Sequence, residues 1–114
     1  MQYLLMLYVR EGEWKNMTPS EQERGMAAYT AFTDALTKAG ALKQSGRLQP
    51  SSSATRVRIV DGKSQVLDGP YVDSREQVGG FYLIEVKDLD AALAWAARCP
   101  AASHGVVEVR ALWQ

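Results

Sequence analysis

Two segments of the chain are apolar at nearly every position, and both predict strands that are buried on two faces. Residues 3–9 read YLLMLYV and residues 79–86 read GGFYLIEV. In the second segment Phe81, Leu83 and Glu85 share one face, and the side chains between them share the other. A strand that is apolar on both faces must be covered on both faces, so these segments are expected at the centre of a sheet.

Two further segments have the spacing of amphipathic helices. Thr18 is suited to cap a helix over residues 19–39, because Pro19 fits its first turn and Glu21 completes a capping box. Gly40 is a natural residue to end it. The predicted apolar face comprises Met26, Tyr29, Phe32 or Thr33, Leu36 and Ala39.

The second helix is predicted over residues 89–98. Asp88 is suited to cap its start, and Pro100 follows its end. The predicted apolar face comprises Leu89, Ala92, Leu93 and Ala96.

The remaining strands are predicted from weaker patterns. Residues 54–60 (ATRVRIV) alternate apolar and basic side chains, which predicts one wet face, and Asp61-Gly62 is typical of a two-residue hairpin turn. The other predicted segments are a returning strand at 63–67, a strand at 41–48 with Gly46 as a bulge, a last strand at 106–112, a polar loop at 10–17 and an irregular stretch at 71–78.

The element order is β–α–β, a hairpin, then β–α–β, which predicts an α+β fold, a ferredoxin-like β-α-β sandwich with an extra hairpin. Both helices would pack on one face of the sheet. Phe81 and Leu83 would then lie on the opposite face, which a single chain cannot cover. We therefore expect a homodimer in which two sheets face each other, forming a dimeric α+β barrel.

Composition narrows the function classes. The chain has 114 residues, which predicts a single domain over residues 1–114, and its 13 basic and 13 acidic residues leave no net charge. Binding to nucleic acid or to an anionic membrane through bulk charge is therefore disfavoured. The apolar start of the chain is too short to span a membrane and does not resemble a signal peptide.

Cysteine content and motif spacing add further limits. The single cysteine, Cys99, excludes an intramolecular disulfide and a zinc site built from several cysteines, and it favours a cytoplasmic location and a packing role. The chain has no metal-ligand spacing, no phosphate-binding glycine loop and no hydrolase elbow. No metal and no cofactor are expected.

The stretch Asp68-Gly69-Pro70-Tyr71, followed by Glu76-Gln77 and by residues 79–86, resembles the DGPF branch of the YCII-related domain family. The resemblance extends over residues 2–112. It implies a ferredoxin-like fold that pairs as a dimeric α+β barrel. It also implies a link to extracytoplasmic-function sigma factors, beside which such members are often encoded. Some relatives are thought to use a His–Asp pair, with which His104, the only histidine, does not align.

The candidate site residues lie in three places. His104 is the best candidate for a general base, although a lone histidine in a Ser-His-Gly loop is also typical of a surface residue. Asp68 is the second candidate catalytic residue. Tyr71, Asp73 and Glu76 follow it in an acidic loop, which is either a plain turn or a ligand-binding cleft.

Glu85 and Arg110 are the remaining candidate ligand-binding residues. Glu85 shares a face with Phe81 and Leu83, where a carboxylate needs a partner, and Arg110 on the last strand is a candidate for it. The pair is either a salt bridge at the strand ends or part of a polar pocket at the mouth of the barrel.

Two functions remain open. The first is binding or transformation of a small molecule in a cleft between the sheet and the loop at residues 68–76. The residues expected to line this cleft are Asp68, Tyr71, Glu76, Glu85 and His104. The second is a regulatory interaction module with a sigma-factor partner, using Arg56 and Arg58 or the region of Trp95 and Trp113. The residues identify neither a ligand nor a reaction, and whether the protein is an enzyme stays open.

Overall fold

The computed structural model describes residues 1–114 and contains six strands and three helices. In chain order they are β1 (Gln2–Arg10), α1 (Glu13–Asn16), α2 (Pro19–Lys38), β2 (Leu42–Arg47), β3 (Thr55–Val60), β4 (Lys63–Asp68), β5 (Glu76–Glu85), α3 (Leu89–Arg98) and β6 (Val106–Ala111). Two short 3₁₀ turns, Ser51–Ser53 and Pro100–Ser103, complete the secondary structure.

Four strands form one antiparallel sheet in the order β2-β5-β1-β6. This is the strand order of a ferredoxin-like fold, and it confirms the predicted α+β architecture. The two strands that are apolar on both faces, β1 and β5, are the central pair. Their central position agrees with their side chains, because a strand that is apolar on both faces must be buried on both faces.

One face of the sheet is covered by the two long helices. Leu5 of β1 and Ile84 of β5 are fully buried there, and they form one core cluster with Leu36 of α2 and Ala92 of α3. The other members of the cluster are Tyr3, Leu7, Phe32, Ala41, Tyr82, Ala96, Cys99 and Ala101. Cys99 is free and buried, which agrees with its predicted packing role.

The opposite face, called the outer face below, carries no helix. Leu4, Met6, Phe81 and Leu83 lie on it, and each is only partly buried. Gly46 faces the Phe81 ring so closely that a Cβ there would lie 2.8 Å from the ring. The predicted bulge at Gly46 is wrong, because Gly46 pairs with Phe81 in regular register. The register shift of β2 lies between Leu42 and Gln44 instead.

The helices begin where the capping residues predict. Thr18 and Glu21 form a complete capping box at the start of α2, and the Asp88 side chain accepts a hydrogen bond from the Ala91 backbone amide at the start of α3. The apolar faces differ in part from the prediction, because the helices are rotated. In α3, Ala92 and Ala96 are buried, whereas Leu89 and Leu93 lie beside the contact and are about half exposed.

The outer residues of the predicted α2 face are also exposed. Met26 is 50% exposed, and only Phe32 and Leu36 of that face are fully in the core. Both lie in the C-terminal half of α2, whereas the N-terminal half contributes no residue to the core cluster. No helix has the length and the hydrophobicity that crossing a membrane requires.

Strands β3 and β4 form a separate two-stranded sheet, called the arm below. Asp61 and Gly62 both have positive φ, at 50° and 76°, as a two-residue hairpin turn of the predicted type requires. All residues of both strands are exposed. The predicted single wet face is therefore wrong, because nothing within the chain covers the apolar face of the arm that Val57, Ile59 and Val66 form.

Two predicted loops contain regular structure. The segment at residues 10–17 includes α1, and strand β5 begins at Glu76 rather than at residue 79. The longer β5 pairs with Arg10 at its start, since β1 extends to that residue. Both differences lie at one end of the sheet and shape the concave region described next.

Candidate functional site

The main concavity of the molecule, called the helix-face cavity below, has a volume of about 660 Å³. It lies between the helix-covered face of the sheet, the short helix α1, the N-terminal half of α2 and the 3₁₀ turn Pro100–Ser103. Its size falls within the range of small-molecule sites, which is about 300–1,000 Å³.

The floor of the cavity is apolar and includes two glycines. Leu7 of β1 and Tyr82 of β5 form part of this floor, and both are more than nine-tenths buried. Gly79 and Gly80 lie beside them in β5. A Cβ at Gly79 would lie 2.8 Å from a methyl carbon of Val9, so the glycine allows the close packing of the strands at this point.

Trp14 forms one wall of the cavity. It belongs to the single turn of α1, and its backbone carbonyl accepts a hydrogen bond from the Gln22 side chain at 2.8 Å. The indole rests on α2 at Gly25, where a Cβ would lie 3.1 Å from the ring. The guanidinium of Arg47 lies over the same ring, 5.2 Å from its centroid. Trp14 therefore connects α1, α2 and β2.

A short hydrogen-bond chain holds the Tyr82 hydroxyl against α2. The Thr33 hydroxyl donates to the Tyr29 backbone carbonyl at 2.9 Å, and it lies 2.9 Å from the Tyr82 hydroxyl. Because the single proton of Thr33 is used on the carbonyl, the Tyr82 hydroxyl is the donor in the second contact. Burial raises the pKa of Tyr82, and burial raises the pKa of Tyr29 to about 12. Both phenols are therefore neutral donors at physiological pH.

Charged side chains surround the mouth of the cavity. They are Arg10, Glu13, Glu21, Arg24 and Arg47. Glu21 is already engaged, because its carboxylate accepts the Thr18 backbone amide at 2.9 Å, and this hydrogen bond lowers the pKa of the Glu21 carboxyl. The mouth combines apolar surface, aromatic surface and arginine side chains.

His104 lines the same cavity, at the end of the 3₁₀ turn. Its Nδ1 lies 3.4 Å from the Ser103 hydroxyl, which itself donates to the Pro100 carbonyl at 2.8 Å. Ser103 has no proton left for His104, so the two do not form an activated nucleophile. Of the predicted site residues, His104 is the one that the structure places in this cavity.

Tyr71 and Glu76 lie in a second, shallower concavity, called the arm groove below. It borders Tyr8 and Val78, beside the loop that joins the arm to β5. The remaining residues around it are Pro70, Val72, Ser74, Gln77 and Val106.

The arm holds this loop through its arginines. Arg56 donates to the Pro70 carbonyl at 3.1 Å, and Arg58 lies over the Tyr71 ring, 5.8 Å from its centroid. Asp68 is the last residue of β4, opposite Thr55, and Asp73 lies in the loop. Neither aspartate lines the helix-face cavity or the arm groove.

Glu85 and Arg110 do not form the ion pair for which the strand pattern made them candidates. Arg110 instead lies 3.3 Å from Glu108, and this is the only salt bridge of the chain. The sheet register explains the difference, because Glu85 is opposite Gln2 in β1 whereas Arg110 is opposite Leu4. Both residues are exposed and line neither concavity.

The sequence interpretation missed most of the helix-face cavity. Trp14 lay in a predicted polar loop, and Arg47 lay near the end of the weakly predicted strand at residues 41–48. Two signals pointed to the region: a glycine inside a helix, Gly25, and the Gly79-Gly80 pair inside a strand, since such glycines often mark close approach of another group. No group of three His, Cys, Asp or Glu side chains is arranged to hold a metal ion.

Comparisons with known proteins identify relatives over the whole chain. The family model of the YCII-related domain matches residues 1–114. An uncharacterised protein of Rhizobium meliloti (strain 1021) is 36% identical over 114 residues, which covers 98% of this chain and 92% of the relative.

A solved structure with a similar fold is that of 5-chloro-2-hydroxyhydroquinone dehydrochlorinase (TftG) from Burkholderia phenoliruptrix AC1100, in complex with 2,5-dihydroxybenzoquinone. It has a TM-score of 0.58 at 16% identity and covers 100% of this chain and 94% of the neighbour. The similarity supports the α+β fold described above.

Proposed function

Since the chain belongs to the YCII-related domain family, we propose that it binds or transforms a small molecule in the helix-face cavity, as part of a homodimer. The observation that carries this proposal is the cavity itself, with about 660 Å³ of space over an apolar floor and a rim of polar side chains. Sites for small molecules have this composition, with apolar walls for affinity and a few polar groups for orientation.

His104 is the residue from the sequence prediction that this proposal uses. It lies at the end of the cavity, and its Nε2 makes no hydrogen bond within the chain. An imidazole with a free nitrogen facing a cavity is suited to accept a proton from a bound molecule. Asp68, Tyr71, Asp73, Glu76, Glu85 and Arg110 remain predicted site residues. Tyr71 and Glu76 line the arm groove, and the other four line neither concavity.

The fold neighbour supports a small-molecule role in a general way. TftG carries 2,5-dihydroxybenzoquinone on the same kind of α+β scaffold. A shared fold does not carry a shared reaction, because chemistry depends on particular side chains. The proposal therefore extends only to a small molecule, and the reaction, if there is one, is left open.

A cavity-filling variant tests the proposal. Ala28 is an exposed α2 residue that lines the cavity, so Ala28→Phe is expected to fill the space without disturbing the core. Ala31→Phe, on the same helix but outside the cavity, is the matched control. A library of small neutral and charged fragments would be screened by amide and indole NMR shifts. Fragments that shift Trp14 in the wild type and in Ala31→Phe, but not in Ala28→Phe, would support the proposal.

Two results would contradict it. One is that no fragment perturbs the resonances of the cavity. The other is that Ala28→Phe binds every fragment as the wild type does, which would place binding elsewhere on the protein.

We also propose that the outer faces of two copies pack together. Leu4, Met6, Phe81 and Leu83 give this face an apolar surface that no element of the chain covers. A face that packs against its own copy across a two-fold axis needs only to be complementary to itself. The radius of gyration, 16.1 Å, exceeds the value of about 13 Å for a compact chain of this length, because the arm extends from the body. A second copy would give a partner to the outer face and to the arm.

The regulatory alternative uses the arm. Its apolar face is exposed, but Arg56 and Arg58 already contact the loop at residues 70–71. A pull-down with an extracytoplasmic-function sigma factor separates the two proposals, using Val57→Lys as the variant. Retention of the sigma factor by the wild type and its loss in this variant would favour the regulatory role.

A further inference from the structure

Three arginines line the helix-face cavity without a carboxylate partner. Arg10, Arg24 and Arg47 all contribute to its rim, yet the only salt bridge in the chain joins Arg110 to Glu108 elsewhere. Two glutamates also line the cavity, which leaves an excess of one positive charge (three arginines less two glutamates). A concave site with unpaired guanidinium groups is complementary to an anion.

The two glutamates of the cavity differ in their contacts. Glu21 uses its carboxylate at the start of α2, where it accepts the Thr18 backbone amide. Glu13 therefore remains as the one carboxylate of the cavity without a hydrogen bond inside the chain.

Arg47 is the best positioned of the three arginines. Its guanidinium lies over the Trp14 ring at 5.2 Å, and Trp14 is itself held by Gln22 and by contact with Gly25. Stacking on an aromatic ring fixes the plane of the guanidinium and does not use its N–H groups. Arg47 makes no side-chain hydrogen bond within the chain, so its donors are available.

Tyr29 supplies a second donor on the same wall. Its hydroxyl makes no hydrogen bond within the chain, whereas that of Tyr82 is used on Thr33. Arg47 and Tyr29 both line the helix-face cavity. Burial raises the pKa of Tyr29 to about 12, which keeps the hydroxyl protonated and able to donate.

From these contacts we propose that the helix-face cavity takes a small aromatic carboxylate, with its carboxylate on the Arg47 guanidinium and the Tyr29 hydroxyl. The aromatic ring lies on the apolar floor of Leu7 and Tyr82 and against Trp14. This inference rests on the proposed function, because it names the class of molecule that the same cavity binds. A planar carboxylate matches the forked geometry of a guanidinium, and an aromatic ring matches the apolar and indole surfaces beside it.

Four probes test the two halves of the proposal. Benzoate has both features, benzamide lacks the charge, cyclohexanecarboxylate lacks the aromatic ring, and acetate lacks the ring system altogether. Each would be titrated into the full chain at low ionic strength, with the indole N–H resonance of Trp14 as the reporter. Benzoate is expected to bind at least about tenfold more tightly than benzamide, since a hydrogen bond to a charged group is roughly twice as strong as a neutral one.

Arg47→Met is the decisive variant, because it keeps an unbranched apolar side chain beside Trp14 and removes the charge. It is expected to lower benzoate affinity about tenfold and benzamide affinity much less, because the amide carbonyl is a neutral acceptor. Arg98→Met is the matched control, since Arg98 also stacks on a tryptophan, Trp95, but lies outside the cavity. Tyr29→Phe is a second variant and is expected to weaken benzoate binding severalfold and benzamide binding less, because the hydrogen bond to the charged acceptor is the stronger one.

The outcomes separate this inference from the proposed function. If benzamide binds the cavity as tightly as benzoate, or if Arg47→Met keeps the preference for benzoate, the aromatic-carboxylate inference is wrong and the small-molecule site remains. If cyclohexanecarboxylate and benzoate bind equally, the aromatic half is wrong. If no probe and no library fragment shifts the Trp14 resonance, both the inference and the proposed function are overturned.

Discussion

The Tyr82 hydroxyl donates a hydrogen bond to the Thr33 hydroxyl across 2.9 Å, which ties the central strand β5 to the middle of α2. Tyr82 is only 6% exposed, and its ring also meets Phe32 edge to face, with centroids 5.0 Å apart. The contact joins the floor of the helix-face cavity to the helix above it. Loss of either hydroxyl is therefore expected to reduce stability.

The two ends of this hydrogen bond should differ in cost. Tyr82→Phe keeps the aromatic packing and leaves Thr33 bonded to the Tyr29 carbonyl, so the free energy of unfolding should fall by about 1 kcal/mol. Thr33→Val leaves the buried Tyr82 hydroxyl without a partner and should cost about 1–3 kcal/mol. Urea denaturation measures both. Tyr71→Phe, at a position that is 73% exposed, is the control, and equal stability of all three variants would contradict the assignment.

Alkaline pH is expected to weaken the fold through Tyr29. Burial raises the pKa of Tyr29 from 10.0 to about 12, so above pH 10 the unfolded chain loses this proton while the folded chain keeps it. The stability that the neutral phenol contributes is therefore complete below about pH 10 and is lost as the pH rises through about 12. Urea midpoints measured across this range should fall less steeply in Tyr29→Phe than in the wild type.

Part of that alkaline loss should remain in the variant. Burial also raises the pKa values of Tyr82 and Cys99, and these groups act in the same direction. If the wild type and Tyr29→Phe lose stability in parallel between pH 10 and pH 12, the role given to Tyr29 is wrong.

The fold followed from the sequence because its strongest patterns are local. The two strands that are apolar on both faces predicted the centre of the sheet, and the capping box at Thr18 and Glu21 predicted the start of α2. The family resemblance is also confirmed, while its DGPF branch stays a prediction. The rotation of α3 was harder to predict from the sequence. Leu89 and Leu93 are as apolar as the residues that are buried, and only packing distinguishes them.

The site was harder to predict because its residues come from six separate elements. Trp14, Tyr29, Arg47 and His104 are far apart in the chain, and none belongs to a recognisable motif. The acidic loop after Asp68 attracted attention because its residues are adjacent in sequence. A cluster of polar residues that are adjacent in sequence is as typical of a turn as of a binding site. A cavity forms between elements that are distant in the chain, so its position depends on the tertiary structure.

The backbone near His104 leaves no room for a side chain at Gly105. A Cβ there would collide with the Tyr8 backbone carbonyl oxygen, which cannot move without disturbing the central strand. Gly105→Ala should therefore lower the free energy of unfolding by about 1–3 kcal/mol, or more if β1 shifts.

Gly25→Ala is the matched comparison for this substitution. Its Cβ would meet only a ring carbon of Trp14 at 3.1 Å, and alanine favours a helix over glycine by about 1 kcal/mol. Its stability should be equal to or above that of the wild type, with a shift of the Trp14 resonance. Destabilisation of both variants to the same extent would mean that the two glycines are not distinguished by their backbone surroundings.

The outer face provides a test of self-association. Leu83 lies near the centre of this face, opposite Leu4, so a charge at that position would have to be buried in a dimer of facing sheets. Leu83→Lys is expected to shift the protein from dimer to monomer in sedimentation velocity at micromolar concentration. Leu93→Lys, on the exposed side of α3, introduces the same charge on the helix-covered side of the molecule and should remain dimeric. A wild type that sediments as a monomer, or a Leu83→Lys variant that remains a dimer, would rule out packing through this face.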